Sequence, residues 1–422
     1  MQNQQVPSTS ARRSAPAGPP APPRASPREV LADLGGVQAA SAVVAFIFAA
    51  SGPVAIILAV GTRGGLSAGD LASWLFGAFA LNGCLSIAFC WWYRQPLVFF
   101  WTIPGTVLVG PALAHLDFAE VVGAFLGAGL LMLGLGVLGW VRRAMEAVPM
   151  PIVMGMVAGV FLRFGLDLVF AIRDDAWIAA PMAATFVALS LHPAVARAAP
   201  PLIGALVVGA AAVTVLGRFA LGGGEMGPAL VAPRLYAPAW SWAAMVELVV
   251  PLAITVLVVQ NGQGIAVVRA AGHQPPISAI TVACGLGSLV TGVVGAVPTC
   301  LTGPVNAIIS SAGDKRRHYA AGILVGVLGI AFGLLSPVFT RLMLATPEAF
   351  IAALAGLAML RVLQTAFAVA FGDGFTLGAL VTFLVTVADV PILGVGAPFW
   401  GLGLGFAASW LLERGEARGP RP

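Results

Sequence analysis

The chain has 422 residues, of which 59% are hydrophobic and only 9% charged, with a mean hydropathy of +0.96 and a formal net charge of +5. No water-soluble domain of this length tolerates that balance, so an all-α polytopic membrane protein is expected. The excess positive charge reads as membrane topology, and a nucleic-acid partner is excluded.

In chain order, residues 1–29 form a tail rich in Pro, Ala, Ser and Arg. It has no apolar stretch, so a disordered cytoplasmic tail is expected there and not a signal peptide. Apolar runs of spanning length follow at 36–60, 71–92, 96–114, 118–141, 149–171, 176–191, 199–221, 242–268, 277–294, 297–312, 319–342, 348–371, 374–389 and 391–412. The 52 glycines suit membrane helices in close contact. With the N-terminus inside, about fifteen Lys and Arg fall in cytoplasmic segments and five in outer ones. That asymmetry predicts fourteen transmembrane spans with both termini cytoplasmic, residues 413–422 being the second tail.

Two spans are interrupted alike. The third contains FFWTIPGTVLVGP, centred on Pro104-Gly105, and the tenth contains VVGAVPTCLTGPVNAI, running from Pro298 to Pro304, about 194 residues on. Proline removes a backbone donor and glycine weakens a helix, so both spans should break inside the membrane. Broken backbone at that depth is tolerated only where protein buries it or it lines a cavity. AGVFLR ending at Arg163 recurs as AGLAMLR ending at Arg361, and Pro151 recurs as Pro347, at similar offsets. ASGPVAIILAVG of the first span has a counterpart in VVQNGQGIAVVRAAG of the eighth. An odd repeat of seven spans forces the second copy to insert upside down, giving two inverted repeats, and matched breaks in such repeats point to a transporter's binding site.

The polar residues expected to form that site lie in four places. Ser51 and Gly52 interrupt the first span, and Thr102, Gly105 and Thr106 flank the first break. Gln260, Asn261 and Gln263 sit together in the eighth span, and Thr299, Thr302 and Asn306 surround the second break. A single carboxamide in hydrocarbon is more simply an interhelical hydrogen bond, but three together favour a ligand. A half-helix starting after each break would aim its free N–H groups and positive end into the cavity, suiting an anionic group. Phe99, Phe100 and Trp101 could offer a flat face to a planar substrate, although such runs are more often packing.

Few groups can titrate within the spans. Arg163 and Asp167, four apart on one helix, are expected to satisfy each other, and Arg361 has Gln364 one turn on. Glu247, Asp373 and Asp33 are each able to carry a coupling proton, and none stands out. The four histidines fall at span ends without clustering, and the four cysteines read as buried structural thiols with no metal-type spacing. There is no Walker sequence, no nucleophile–base pair and no metal cluster, so neither ATP nor an enzymatic cofactor is expected. A non-transporting scaffold would leave the matched breaks unexplained.

Five stretches carry a family resemblance: WxxPG at Trp101–Gly105, AGxxLRFGL at Ala158–Leu166, QNxxGIAxxxAAG at Gln260–Gly272, LAGLAxL at Leu354–Leu360 and FWGL at Phe399–Leu402. They resemble the benzoate:proton symporter family, BenE, from about residue 30 to 412. That family is related to nucleobase:cation symporters and sulfate-type anion exchangers with a seven-plus-seven inverted repeat. The resemblance implies a core domain from residues 30–145 and 241–345 and a gate domain from 146–240 and 346–412. It also implies a short strand plus half-helix at spans 3 and 10. The activity implied is symport of benzoate or a similar small carboxylate with protons, in a bacterial inner membrane. The partners are then a small organic anion, protons and the lipid bilayer, with a homodimer as an option. The tenth span departs from the family pattern, reading AVPTCLTGPVNAIISSAGD where a Gly-His-rich break is usual. Acidic residues that nucleobase relatives use in spans 8 and 10 are Gln and Asn types here, which argues against nucleobase transport and leaves that or an inorganic-anion substrate as the alternative.

Overall fold

The structure, a computed structural model, describes residues 25–141, 143, 149–191, 200–220, 228–311, 313–372, 374–393 and 395–413. Asp373, His192 and nearly all of the expected tails lie outside the described residues. Within them the chain is mostly helical, and the helices follow the apolar runs. Seven are long and apolar enough to cross a membrane: Gly36–Arg63, Ala68–Tyr93, Phe118–Val137, Met150–Asp174, Trp242–Ala270, Lys315–Leu334 and Glu348–Ala370. Six shorter apolar helices accompany them, among them Ile103–Ala112, Ile277–Val293 and Ala397–Leu412. Large apolar side chains such as Val215, Trp242 and Leu412 stand exposed, which fits a lipid surface and not water.

The helices pack in two groups. In one, Glu348–Ala370 and Thr376–Ala388 lie against Met150–Asp174, with Ala176–Ser190 against Pro201–Val215. In the other, Ile277–Val293 lies against Phe118–Val137 and His318–Leu334 against Asn82–Tyr93. Glycine permits the closest of these contacts. A Cβ at Gly155 would stand 2.4 Å from the Ala379 carbonyl oxygen, and one at Gly285 would stand 2.6 Å from the Leu133 nitrogen. Without a strong hydrophobic drive between helices in lipid, such backbone approach is what gains dispersion contact.

Both Pro-Gly segments leave the helix. Strand β1 (Phe99–Trp101) precedes the helix Ile103–Ala112, and strand β2 (Thr299–Leu301) precedes Gly303–Ser310. The two strands pair antiparallel with Phe100 opposite Cys300. The first long helix is interrupted at Ser51, whose hydroxyl donates to the Phe48 carbonyl oxygen at 3.0 Å. The helix Trp242–Ala270 contains two π-helical stretches, Met245–Val249 and Thr255–Gln260, the second ending where the three carboxamides begin.

Local differences from the sequence expectations have local causes. Part of the expected tail is ordered: Pro27–Asp33 is a helix closed by a Ser26–Glu29 capping box and tied down by Tyr319, which donates to Asp33 at 2.7 Å. The apolar run 319–342 is two helices, His318–Leu334 and Ser336–Leu344, because Ser336-Pro337 starts a new one. Cys90, Cys284 and Cys300 are buried as expected, but Cys84 faces outward on its helix.

Candidate substrate site

The two breaks meet. Beyond the strand ladder, the Thr102 N–H donates to the Pro298 carbonyl oxygen at 3.0 Å and the Thr302 N–H donates to the Val98 carbonyl oxygen at 3.1 Å. Two serines brace the strands in matching ways. Ser86 Oγ accepts from the Phe99 N–H at 2.8 Å, and Ser288 Oγ accepts from the Thr299 N–H at 2.9 Å. Neither serine stands out in the sequence, because a hydroxyl in a Gly-rich helix has no signature until its partner strand is placed.

The two half-helix starts are chemically unequal. At the first, Thr102 Oγ1 accepts from the Gly105 N–H at 3.1 Å and donates to Thr255 Oγ1 at 3.2 Å, while Thr106 donates to the Thr102 carbonyl oxygen at 3.0 Å. Those hydroxyls are spent on the helix start, and both threonines are fully buried. Gly105 is held there by its cap, since a Cβ would stand 2.3 Å from the Thr102 methyl. At the second start, Thr302 makes no side-chain cap, although the residue is also buried, at 8% exposure. The N–H groups of Gly303 and Val305 therefore lack the side-chain partner that Gly105 has, and they carry the positive end of the helix dipole.

The candidate polar residues divide between structure and opening. Asn306 Oδ1 accepts from the Val98 N–H at 2.9 Å, and its Nδ2 donates to the carbonyl oxygens of Val98 and Thr302. Asn261 Oδ1 accepts from the Leu301 N–H at 2.8 Å and its Nδ2 reaches the Cys284 sulfur, so this carboxamide holds β2 in place. Thr299 donates to Asn82 Oδ1 at 2.8 Å. Ser51 bonds its own helix, and Gly52 abuts the Ala358 methyl of Glu348–Ala370, where a Cβ would stand at 2.4 Å. Gln260 is buried beside Cys300. Gln263 differs: it is exposed, makes no hydrogen bond among the described residues, and lies against Gly303, whose added Cβ would meet it at 2.6 Å. The second break thus offers one hydroxyl, one carboxamide and an uncapped helix start, with no charged side chain in the break itself.

Phe99, Phe100 and Trp101 are buried in an aromatic cluster, not offered to a ligand. Phe79 lies 5.1 Å from Phe100 and 4.8 Å from Trp101, and Phe332 lies 4.5 Å from Phe79. Both faces of β1 are covered, so strand alternation exposes neither set.

The roomy cavity is a cleft of about 840 Å³ at the far end of the helix Ile103–Ala112, between that helix and Met150–Asp174. Nearer Pro104, the gap to Met156, Val157 and Phe161 leaves no room for a water molecule. The cleft carries cross-paired charges. Arg63 binds Asp167 at 2.7 Å and Arg163 faces Asp389 at 3.8 Å, so the expected Arg163–Asp167 pair is replaced by contacts across the cleft. Arg361 does reach Gln364, at 2.9 Å. His115 and Glu247, 132 residues apart, meet at 3.0 Å at the edge of the cleft.

The histidines are not all isolated either. His273 Nε2 lies 3.3 Å from His318 Nδ1, because the turn after Ala270 folds onto the start of His318–Leu334. Burial, with His318 and Lys315 adding repulsion, holds His273 down at about 4. Between its ordinary value of about 6.5 and 4, the unfolded chain binds a proton that the folded one refuses. The purified protein is therefore expected to lose melting temperature as pH falls through that window, and His273→Gln is expected to flatten the loss. An unchanged pH profile in that variant would remove His273 as the cause.

A family model described as benzoate membrane transport protein matches residues 32–411. The benzoate membrane transport protein of Acinetobacter baylyi is 27% identical over 391 residues, 89% of this chain and 94% of that protein. The inner membrane protein YdcO of Escherichia coli is 28% identical over 353 residues, covering 82% and 88%. Among solved structures, the transmembrane domain of a cyanobacterial bicarbonate transporter, BicA, superposes with a TM-score of 0.57 at 17% identity, covering 91% of this chain and 99% of that one. SLC26A9 gives a TM-score of 0.60 at 15% identity over 93% of this chain and 66% of that one. At such identities the two structures share a fold with this chain.

Proposed function

Since the chain belongs to the benzoate membrane transport protein family, we propose that it is a proton-coupled symporter of benzoate or a similar small carboxylate. It works in a bacterial inner membrane, as fourteen spans with both termini cytoplasmic. Alternating access arises between the helix group of residues 30–145 and 241–345 and the group of 146–240 and 346–412. The observation that carries this reading is the uncapped start of Gly303–Ser310 beside Thr302 and Gln263, facing the capped start of Ile103–Ala112 across the strand ladder. Such a start accepts a carboxylate through N–H groups without a fixed cation, so the loaded site need not bury a salt bridge. Ser51, Gly52, Thr102, Gly105, Thr106, Gln260, Asn261, Thr299 and Asn306 shape and brace this site.

The charge of the substrate supplies the reason for a proton. An aromatic carboxylic acid titrates near the usual carboxyl value of about 4 and is an anion at neutral pH. Moving it inward against a negative interior costs about 2.3 kcal/mol per charge per 100 mV. One co-transported proton cancels that charge and adds the pH gradient. Labelled benzoate should therefore accumulate in proteoliposomes when the outside is acidic, and a protonophore should abolish the accumulation. Uptake that survives the protonophore or requires sodium overturns the coupling. The likeness in fold to a bicarbonate transporter favours an inorganic anion as the second reading, and benzoate uptake that is absent while bicarbonate uptake is present would select it.

A further inference from the structure

Glu247 is the only buried carboxylate among the described residues, its side chain 3% exposed. It projects from the π-helical stretch Met245–Val249, where the extra residue in the turn displaces side chains from their α-helical positions. Its Oε2 lies 3.0 Å from His115 Nε2. Its Oε1 presses on the backbone before Ala397–Leu412: a Cβ at Gly396 would stand 2.3 Å from it. The carboxylate is thus wedged between the two groups of helices, and its one polar partner among the described residues, at 31% exposure, opens on the cleft.

Other charges near the pair are few. Asp389, which also lines the cleft, is faced by Arg163, while Arg63 and Asp167 hold each other across the cleft. On Phe118–Val137 the one charged residue, Glu120, closes a capping box with Asp117. The segments Ile103–Ala112, Val250–Ile254 and Ala397–Leu412 that also pack here carry no charged residue.

We propose that the His115–Glu247 pair is the proton-binding site of the transport cycle, an inference that rests on the proton-coupled reading above. Unloaded, the pair is a neutral imidazole beside a carboxylate, and it places one negative charge at the contact between the helix groups. A proton from water in the cleft adds to the imidazole, the one of the two groups open to that water, and there it cancels that charge; it leaves by the reverse step. Burying a lone carboxylate at a sliding contact is costly, so the loaded pair moves past Gly396 more readily than the unloaded one. His115 lies in the turn that ends Ile103–Ala112, and the substrate break lies at the start of the same helix. One rigid ten-residue element therefore links proton and substrate.

The test uses the full-length protein in proteoliposomes with labelled benzoate, comparing wild type, Glu247→Gln and His115→Gln. Exchange of benzoate at equal pH needs no net proton movement. It is expected to stay close to wild type in Glu247→Gln, which leaves no charge at the contact, and to slow in His115→Gln, which leaves the carboxylate unpaired. Accumulation driven by an acidic exterior is expected to fall to a ratio of one. A variant that accumulates benzoate as the wild type does overturns the proposal. So does the loss of exchange and accumulation together in folded Glu247→Gln, since the pair would then be structural. If Glu247→Gln does not fold, His115→Gln decides by accumulation, which supports the proposal if it falls to a ratio of one and overturns it if it equals wild type. A wild type that exchanges benzoate but ignores the pH gradient would instead refute the symport reading.

Discussion

Asn306→Leu is expected to cost about 1–3 kcal/mol of stability, because it orphans the Val98 N–H, while the Val98 carbonyl oxygen keeps the Thr302 N–H. The Asn306 carboxamide copies a backbone amide: it accepts from the Val98 N–H and donates to the Val98 carbonyl oxygen, continuing the ladder beyond β1. It is fully buried, so no water replaces the lost partners. The change should melt the contact between the two breaks and abolish transport with it. Thr106→Val is the control, since it removes only a hydroxyl bond to the Thr102 carbonyl oxygen within one helix, worth at most about 1.5 kcal/mol. Thermal melting of both variants in detergent separates them. Equal melting temperatures for Asn306→Leu and wild type would show that the carboxamide does not brace the break.

Thr302→Val and Gln263→Leu should act in the opposite manner, sparing stability and weakening binding. Thr302 Oγ1 caps nothing in its own helix, and Gln263 is exposed beside Gly303. Valine keeps the shape of threonine and removes only the hydroxyl. The expected loss is about 1.5–3 kcal/mol for a hydrogen bond to a charged group, or about 10- to 150-fold in benzoate affinity. Thr102→Val reverses the pattern, because its hydroxyl caps the Gly105 N–H, and losing an N-cap costs about 0.5–2 kcal/mol of stability. Binding measured by calorimetry, beside melting curves, checks all three. A Thr302→Val protein that binds benzoate as tightly as wild type would move the carboxylate away from the second break.

The sequence by itself determined where the chain is helical and where it stops. In hydrocarbon a lipid-facing backbone group must be paired within its own helix, so apolar length and the positions of Pro and Gly are local signals that survive folding. Pro104-Gly105 and Pro298 to Pro304 mark the two strands and half-helices to within a few residues. Residue type also marked the polar positions that meet around them. Only the tertiary structure decided what each of those residues does. Asn261 and Gln263 are two residues apart and of one chemistry, yet one is spent on the Leu301 N–H and the other is open. Arg163 finds Asp389 instead of Asp167 because the cleft brings a charge from 226 residues away closer than helical spacing does. The His115–Glu247 pair had no trace in the sequence for the same reason. A hydrogen bond depends on distances of a few tenths of an ångström between groups far apart in the chain, and those distances exist only after the helices pack.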